Sequence, residues 1–204
     1  MTDSTVAARR ARTRPAGVPG PLAMFFQGFL KHPVMVGSII PSSDKLIRKM
    51  LGPVDWSACK VFVEYGPGVG TFCRPILERM APDATLIAID TNPDFINYLN
   101  HVITDSRFVA VNGSAADVEQ IVRDHGFEQA DYVLSGLPFS TLPPGVGDAI
   151  GAATHRVIRE GGAFLVYQFS PKVRDFLTPH FKDIDHDMEW WNVPPAQLYW
   201  AWKG

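Results

Sequence analysis

The sequence has few of the features that mark several common protein classes. Its 204 residues include two cysteines, Cys59 and Cys73, which have neither CxxC nor metal-type spacing. A framework of disulfides is therefore excluded, and a reducing cytoplasm is the simplest setting. No apolar stretch reaches the length that spans a membrane, and the chain has no evident repeat or low-complexity segment.

The chain also lacks a basic surplus. Lysine and arginine number 19 against 21 aspartates and glutamates, and the isoelectric point is near 6.3. Proteins that bind nucleic acid need positive charge to neutralise phosphates, so we expect no nucleic-acid partner. The length fits one domain with a substantial core, and we expect a monomer.

What the sequence does contain is an apolar strand that runs into a glycine loop at residues 60–70. Residues 61–63 form an apolar run of the kind found in central parallel strands. Glu64 stands at the junction, and Gly66, Gly68 and Gly70 follow it. Residues 71–80 are then expected to be helical, so that the loop and the helix end present backbone N–H groups to an anionic ligand.

The spacing of these glycines narrows the choice of ligand. A dinucleotide-binding fingerprint needs its third glycine at position 71, where the chain has Thr71. The pattern Glu-x-Gly-x-Gly-x-Gly instead resembles the cofactor loop of the class I methyltransferases that use S-adenosylmethionine (SAM). This resemblance implies SAM as cofactor, S-adenosylhomocysteine as its product and no metal, while a plain glycine-rich turn stays the alternative.

A second apolar strand, residues 84–90, ends in a carboxylate. Asp90 can accept hydrogen bonds from both hydroxyls of a ribose, so Asp90 and the adjacent Thr91 are candidate cofactor contacts. Asp90 can serve equally at the start of the helix that Asn92 and Pro93 open, and the two roles are compatible.

A third strand, residues 107–111, leads to the turn where the class I enzymes place the adenine edge. Ser114 occupies the position where Asp is common in that class, so backbone contacts from Ser114 and Ala115 are the expected ones. Asp117 is expected to cap the helix that begins near Val118.

A fourth strand, residues 130–135, runs into the loop in which the class places the methyl acceptor. Enzymes of this class that methylate adenine in RNA or DNA carry Asn or Asp at the position of Gly136, and the side-chain oxygen accepts from the exocyclic amine. Gly136 has no such oxygen, which disfavours a nucleic-acid substrate.

Several segments together resemble the bacterial phospholipid N-methyltransferases. They are the aromatic residues 22–30, Val36-Gly-Ser-Ile-Ile-Pro-Ser-Ser43, Glu64-Tyr-Gly-Pro-Gly-Val-Gly70, Ser135-Gly-Leu-Pro-Phe139 and Asn192-Val-Pro-Pro-Ala-Gln-Leu-Tyr199. The resemblance covers residues 22–203 and departs from the family at Tyr65, where an aliphatic residue is usual. It implies successive SAM-dependent N-methylation of phosphatidylethanolamine toward phosphatidylcholine, at an anionic phospholipid membrane.

The chemistry of such a substrate selects the candidate catalytic residues. A phospholipid amine has a pKa of about 10, so forming the neutral nucleophile at pH 7 costs roughly 4 kcal/mol. The carbonyls of Ser135 and Gly136 and the hydroxyl of Tyr167 are candidate proton acceptors. Phe139 and Tyr199 are candidate aromatic walls for a methylated ammonium. Four tryptophans are weaker candidates for such a wall, because strand alternation sends about half of them into the core. They are Trp190, Trp191, Trp200 and Trp202.

The segment before the glycine loop is expected to cover the cofactor. Ser42 or Ser43 is a plausible N-cap for a helix over residues 45–51. By position the segment lies over the glycine loop, and the cofactor-binding set is therefore Ser38, Ser42, Ser43, Glu64, Gly66, Gly68, Gly70, Asp90, Thr91, Ser114, Ala115 and Ser135.

The order of elements predicts an α/β fold with a doubly wound, mainly parallel seven-stranded sheet and a C-terminal antiparallel hairpin. We expect a flexible basic arm at residues 1–20, N-terminal helices at 21–52 that face the membrane or cover the cofactor, and the SAM-binding domain at 53–204. Whether the aromatic helix face at residues 22–30 inserts into a membrane or packs on the core stays open.

The predicted location is cytoplasmic, peripherally associated with the inner face of the cell membrane. Asp185, Asp187 and Glu189 share one side of a strand, and a solvated edge is a better interpretation than a metal site. Two other functions stay open. One is a methyltransferase for RNA or a soluble amine, and the other is a SAM-binding or membrane-binding module without turnover.

Overall fold

A computed structural model describes residues 43–169, 173–192 and 195–204. The strands are β1 (Val61–Tyr65), β2 (Thr85–Asp90), β3 (Phe108–Asn112), β4 (Ala130–Ser135), β5 (Ile158–Gln168), β6 (Asp183–Glu189) and β7 (Ala196–Trp202). The helices are α1 (Asp44–Leu51), α2 (Cys73–Leu77), α3 (Pro93–Val102), α4 (Val118–Asp124), α5 (Val146–Val157) and α6 (Val173–Leu177). Short 3₁₀ turns lie at Ala115–Asp117 and Phe139–Thr141.

The strands form one seven-stranded sheet in the order β3-β2-β1-β4-β5-β7-β6. Strands β1 to β5 pair in parallel, and β7 is antiparallel to both of its neighbours, β5 and β6. Successive strands are added in opposite directions on the two sides of the β1–β4 pair, toward β2 and β3 on one side and toward β5 on the other. Ligands bind in open α/β sheets at the carboxyl ends of the two strands where this reversal occurs, and here those strands are β1 and β4. The predicted fold class is confirmed.

Helices cover both faces of the sheet. Helices α1, α2 and α3 pack on one face against Phe62, Leu134 and Tyr167. Helices α4, α5 and α6 pack on the other face against Tyr65, Phe164 and Tyr199. Strand β1, in the middle of the five parallel strands, is buried along its whole length, as its near-continuous apolar sequence requires.

Helix α1 is attached to the β6–β7 hairpin. Ser43 is its N-cap, and the Ser43 side chain accepts from the backbone N–H of Leu46. The Lys49 ammonium donates to the Met188 carbonyl at 2.8 Å, and the Trp200 indole donates to the Met50 carbonyl at 2.9 Å.

Helix α2 is shorter than the helix expected over residues 71–80. The Gly70 N–H donates to the Pro67 carbonyl at 2.8 Å, so the glycine loop closes in a tight turn and the helix begins only at Cys73. At the other end, the Ile76 carbonyl accepts from the N–H groups of both Arg79 and Met80, at 3.0 and 3.1 Å, and the regular helix ends at Leu77. A single short helix contributes little macrodipole, so anion binding here depends on the N–H groups of the loop.

The helix after β3 also differs from expectation at its cap. Helix α4 begins at Val118 as expected, but the Asp117 side chain makes no capping hydrogen bond. The Ser114 hydroxyl instead accepts from the Ala116 N–H at 3.2 Å, because a 3₁₀ turn precedes the helix and moves the cap upstream.

Of the acidic residues Asp185, Asp187 and Glu189 of β6, the first two lie on the solvated edge that the sequence predicts, since both are exposed. Asp185 accepts from the Trp202 indole at 2.9 Å, and Asp187 pairs with Lys49 at 2.8 Å. Glu189 is buried, so the predicted solvated edge is wrong at that residue. Among the described residues, no group of His, Cys, Asp and Glu side chains is arranged to hold a metal ion.

Candidate functional site

The candidate site lies at the carboxyl edge of the parallel strands, around the loop that follows β1. Gly66, Gly68 and Gly70 have positive φ angles of 64°, 55° and 80°. A Cβ atom on Gly66 would lie 2.9 Å from Leu137 Cδ2, so glycine is needed there for two reasons. The glycine loop and the loop after β4 are therefore in direct contact.

Glu64 lies at the end of β1, nearly sealed from water. Its side chain is 3% exposed, and one carboxylate oxygen accepts from the Cys73 thiol at 3.1 Å. Burial raises the pKa of Glu64 to about 7, the thiol hydrogen bond opposes this, and the nearby Asp90 charge adds to it. Burial and the Glu64 charge raise the pKa of Cys73 as well, so Cys73 stays a thiol and remains a donor.

Among the described residues, the hydrogen-bond donor to this buried carboxylate is a thiol, which is a weak donor, so the ionised form is poorly compensated. A cationic ligand group beside Glu64 would stabilise the ionised form. SAM carries an ammonium and a sulfonium, so the chemistry of this side chain fits that cofactor.

Asp90 lies at the tip of β2, next to the glycine loop. The Asn92 N–H donates to one of its carboxylate oxygens at 2.8 Å, and the Gly68 N–H also donates to the carboxylate. Burial raises the pKa of Asp90 above its usual value against these two hydrogen bonds. The carboxylate is thus held against the loop, and its remaining acceptor capacity suits ribose hydroxyls. Thr91, beside it, is exposed.

The turn after β3 is tied to the same strand end. The Gly113 N–H and the Asn112 side-chain amide both donate to the Asp90 carbonyl, at 3.0 and 2.9 Å. Ser114 and Ala115 therefore follow at the edge that carries Asp90. The contacts expected of them with adenine stay predictions.

The loop after β4 brings together most of the candidate catalytic residues. Ser135 is fully buried, and its hydroxyl accepts from the Leu137 N–H at 3.1 Å. A Cβ atom on Gly136 would overlap the Tyr167 hydroxyl, so the absence of a side chain at Gly136 is what lets Tyr167 approach the loop. The Gln168 amide donates to the Leu137 carbonyl.

Tyr167 comes from β5 and lies on the face of the sheet that α1, α2 and α3 cover. Its ring packs on Phe72, with centroids 5.0 Å apart, and its side chain is 9% exposed. Phe72 follows the glycine loop directly in the chain. Tyr167 thus lies between the segment that follows the glycine loop and the loop after β4.

The two aromatic candidates Phe139 and Tyr199 do not lie beside Tyr167. Phe139 stacks on Phe176 with centroids 4.0 Å apart, and Tyr199 stacks on His186 at 4.6 Å. Both pack with the opposite face of the sheet, because Tyr199 is one residue out of phase with Trp200 along β7. Phe139 and Tyr199 therefore do not share a face of the sheet with Tyr167, and their role as walls for a methylated ammonium stays a prediction.

The candidates of the covering segment are only partly described. Ser38 and Ser42, the basic arm and the aromatic segment all lie outside the described residues. Ser43 is described, and its N–H donates to the Asn192 side-chain oxygen at 3.3 Å. This contact joins the start of α1 to the Asn-Val-Pro-Pro-Ala segment that carries the family resemblance.

Several functional neighbours were not identified from the sequence. Cys73, Phe72 and Leu137 contact the predicted residues, but their apolar or weakly polar character gives no signal in a single sequence. Asn192, which is 3% exposed, stands in a motif singled out only as a resemblance. Its partner, the Ser43 N–H, is 149 positions away, so the contact needs the fold.

Curated relatives of two kinds are similar in sequence. The ornithine lipid N-methyltransferase of Singulisphaera acidiphila is 31% identical over 180 residues, which is 87% of this chain and 94% of that protein. The ribosomal RNA small subunit methyltransferase H of Shewanella pealeana is 34% identical over 90 residues, which is 44% of this chain and 28% of that protein. No family model matches the chain.

Solved structures with the same architecture are more distant. The precorrin-6y C5,15-methyltransferase of Geobacter metallireducens has a TM-score of 0.63 at 13% identity, covering 85% of this chain and 96% of that one. Human N-acetylserotonin methyltransferase in complex with SAM has a TM-score of 0.59 at 14% identity, covering 78% and 51%. These likenesses establish the fold.

Proposed function

Because the chain belongs to the family of bacterial phospholipid N-methyltransferases, within the class I SAM-dependent enzymes, we propose that it methylates the primary amine of a membrane lipid head group. That it is a SAM-dependent methyltransferase follows from the family and from the fold. The lipid amine as acceptor is the proposal.

The observation that carries the proposal is the extent of the lipid-methylating relative. Its similarity covers 87% of this chain and 94% of that protein, an extent that has to include the loop after β4. The RNA-methylating relatives match less than half of the chain. The glycine at position 136 agrees with this difference, since it leaves no side-chain oxygen for a nucleobase amine.

The residues that would hold SAM are those at the strand ends. Glu64 would face a cationic group, Asp90 the ribose hydroxyls, and Ser114 and Ala115 the adenine, with the glycine loop beneath. When bound, SAM supplies the electrophilic methyl group on its sulfonium. We expect the residues ahead of α1, including Ser38 and Ser42, to cover this site, with residues 1–20, 21–52 and 53–204 as the three parts of the chain.

The acceptor loop can prepare the amine. An ammonium has to release one proton to solvent water before its nitrogen can attack, and transfer out of water favours this release because it lowers the pKa of an ammonium. The Ser135 and Gly136 carbonyls and the Tyr167 hydroxyl accept hydrogen bonds from the N–H groups and orient the lone pair. Correct orientation alone can contribute about 7 kcal/mol or more to the rate.

Two head groups are candidates for the acceptor. The sequence resemblance favours phosphatidylethanolamine, and the curated relative favours ornithine lipid, whose head group also carries a primary amine. We propose that the protein acts as a monomer at the inner face of the cell membrane, since the amine is presented there. Among the described residues no helix is long and apolar enough to cross a bilayer.

The test is methylation of liposomes of defined head group. The protein is incubated with SAM and anionic liposomes containing phosphatidylethanolamine, ornithine lipid or phosphatidylcholine, and the lipids are examined by mass spectrometry. Methylated products are expected from one or both amine-bearing lipids and not from phosphatidylcholine, which has no N–H. No product from either amine would overturn the proposal.

A further inference from the structure

We propose that Trp190 and Trp191, in the turn between β6 and β7, form a docking surface that inserts into the interface of an anionic phospholipid bilayer. The inference rests on the proposed function, because it names the surface through which a lipid-methylating enzyme would reach its substrate. We call these two residues the tryptophan turn.

The tryptophan turn stands out by its exposure. Trp190 is 70% and Trp191 is 78% exposed, and among the described residues no other large hydrophobic side chain is exposed to this degree. Trp200, a few positions along the same hairpin, is 6% exposed. Exposing two adjacent indole rings to water costs free energy, and a membrane or a binding partner that covered them would remove this cost.

The turn is held in place at both ends. The Trp191 N–H donates to the Glu189 carboxylate at 3.0 Å, and Glu189 is 7% exposed. The buried Asn192 side chain accepts from the Ser43 N–H, which attaches the end of the turn to α1. The indoles are thus displayed by a fixed turn, which a surface that inserts in a defined orientation needs.

Sheet register puts the turn at the same edge as the acceptor loop. Gln168, at the end of β5, pairs with Gln197, and Gln197 pairs with Met188 near the end of β6. Strand β4, which is parallel to β5, ends at Ser135 on this edge. A bilayer that receives the tryptophan turn would therefore face the edge where Gly136 and Tyr167 lie.

Basic side chains of α1 flank the turn. The Lys45 ammonium lies 4.9 Å from the centre of the Trp191 ring, and Arg48 is exposed one helical turn further. Lys49 is paired with Asp187, and Asp44 is the exposed acidic residue of the helix. This combination of indoles and exposed cations suits an anionic membrane surface, because indole rings bind at the level of the head groups and cations are attracted to the negative lipids.

The alternatives to a bilayer are that a protein partner covers the two indoles or that residues ahead of α1 cover them. The bilayer is favoured because Trp is amphipathic, because the cations stand beside the indoles, and because the turn shares its edge with the acceptor loop. The alternatives predict that lipid does not reach the indoles.

The experiment measures vesicle binding without turnover. Vesicles containing phosphatidylglycerol and phosphatidylethanolamine are sedimented with the wild-type protein, with Trp190→Ala/Trp191→Ala and with Trp202→Phe. Trp202 pairs with Asp183 at the end of the same hairpin that lies away from the turn, and it is therefore the matched control. The double variant should bind about tenfold more weakly, since two interfacial aromatic anchors are lost, and the control should bind as the wild type does.

A second measurement does not depend on the variants. Brominated lipids should quench the fluorescence of the wild-type protein, and the double variant should lose that quenching. On vesicles, methylation by the double variant should fall about as much as binding, and on short-chain phosphatidylethanolamine below its micellar concentration it should stay within about twofold.

Equal vesicle binding by the double variant and the wild type, or no quenching of the wild type, would overturn the inference and point to a protein partner or to coverage by the chain itself. Tryptophan-dependent binding without methylation of any lipid would support the docking surface and overturn the proposed function. The two failures are therefore distinguishable.

Discussion

At the scale of single residues, the most informative side chain is Glu64. It lies on the central strand, is buried, and has the Cys73 thiol as a hydrogen-bond donor. A group with these properties near neutral pH marks a binding site more often than a structural position.

The first prediction concerns the pH dependence of SAM binding. Burial raises the pKa of Glu64 from an ordinary 4.5 to about 7, so the free protein holds this proton below pH 7. A cationic group of SAM favours the ionised carboxylate, so binding releases the proton. Affinity should therefore fall by about tenfold for each pH unit below 7 and level off above it.

Titration calorimetry on two variants checks this pH dependence. Glu64→Gln should bind weakly with little pH dependence below 7. Cys73→Ala removes the thiol that lowers the pKa of Glu64, so its transition should move to higher pH. A wild-type affinity independent of pH between 5.5 and 8 would contradict the role of Glu64.

The second prediction concerns Tyr167 and Gly136. Tyr167→Phe should lower kcat by about tenfold to a hundredfold and leave the SAM dissociation constant unchanged, because the lost hydroxyl is proposed to bind the amine and not SAM. Gly136→Ala should have a similar effect, since its methyl group would displace the Tyr167 hydroxyl.

Steady-state kinetics of the double variant gives the control. If both changes act through the Tyr167 hydroxyl, Gly136→Ala/Tyr167→Phe should be less impaired than the product of the two single effects. Full multiplicativity would show that Gly136 acts independently of Tyr167.

At the scale of elements, the starts of three strands are joined by one carboxylate. Asp131 accepts from the N–H groups of Lys60 and Val61 at 2.7 and 2.8 Å and pairs with Arg159 at 2.5 Å. These contacts connect β1, β4 and β5 at the edge opposite the candidate site. Removing them should affect stability and not cofactor contacts.

The third prediction follows from this junction. Asp131→Ala should lower the free energy of unfolding by about 3 kcal/mol, because two backbone donors and the Arg159 guanidinium lose their acceptor. Asp83→Ala, which breaks the exposed pair with Lys60, should change stability little. Urea denaturation of both variants checks the difference, and equal losses would contradict it.

The sequence was most informative about the strands. Apolar runs ending in Glu64, Asp90 and Ser135 predicted the parallel strands and the edge where their ends meet, because strand period and turn residues are local properties. The sequence was less informative where distant contacts decide. Helix α2 is shortened by the loop before it, and Glu189 is buried by its turn.

Side-chain direction could not be predicted from the sequence either. Tyr167 and Tyr199 were both candidates at the acceptor, and the pairing of β5 with β7 puts the two rings on opposite faces of the sheet. The exposure of Trp190 and Trp191 also depends on where the strand ends. A single sequence does not fix either property.

At the scale of the whole molecule, the glycine loop, the loop after β4 and the tryptophan turn lie at the carboxyl ends of the parallel strands. The Asp131 junction lies at the opposite ends of the same strands, away from the candidate site. We therefore expect a bound ligand to stabilise the fold through residues at the carboxyl ends of the strands and not through residues at their other ends.

The fourth prediction is thermal stabilisation by SAM. At a SAM concentration about 100 times its dissociation constant, the stability should rise by about 2.7 kcal/mol, which raises the melting temperature by about 5–10 °C for a chain of this size. Asp90→Ala should lose most of the shift. Asp83→Ala, at the other end of β2, should keep it, and equal shifts in the two variants would contradict the site.

The most direct test of the central claim is a competition among acceptors in one reaction. The protein receives SAM with an isotopically labelled methyl group, together with liposomes containing phosphatidylethanolamine and ornithine lipid, the soluble amines ethanolamine and ornithine, and RNA. Mass spectrometry of each fraction should find the label on lipid amines. Label on RNA or on the soluble amines, or on no acceptor while SAM is bound, would contradict lipid N-methylation.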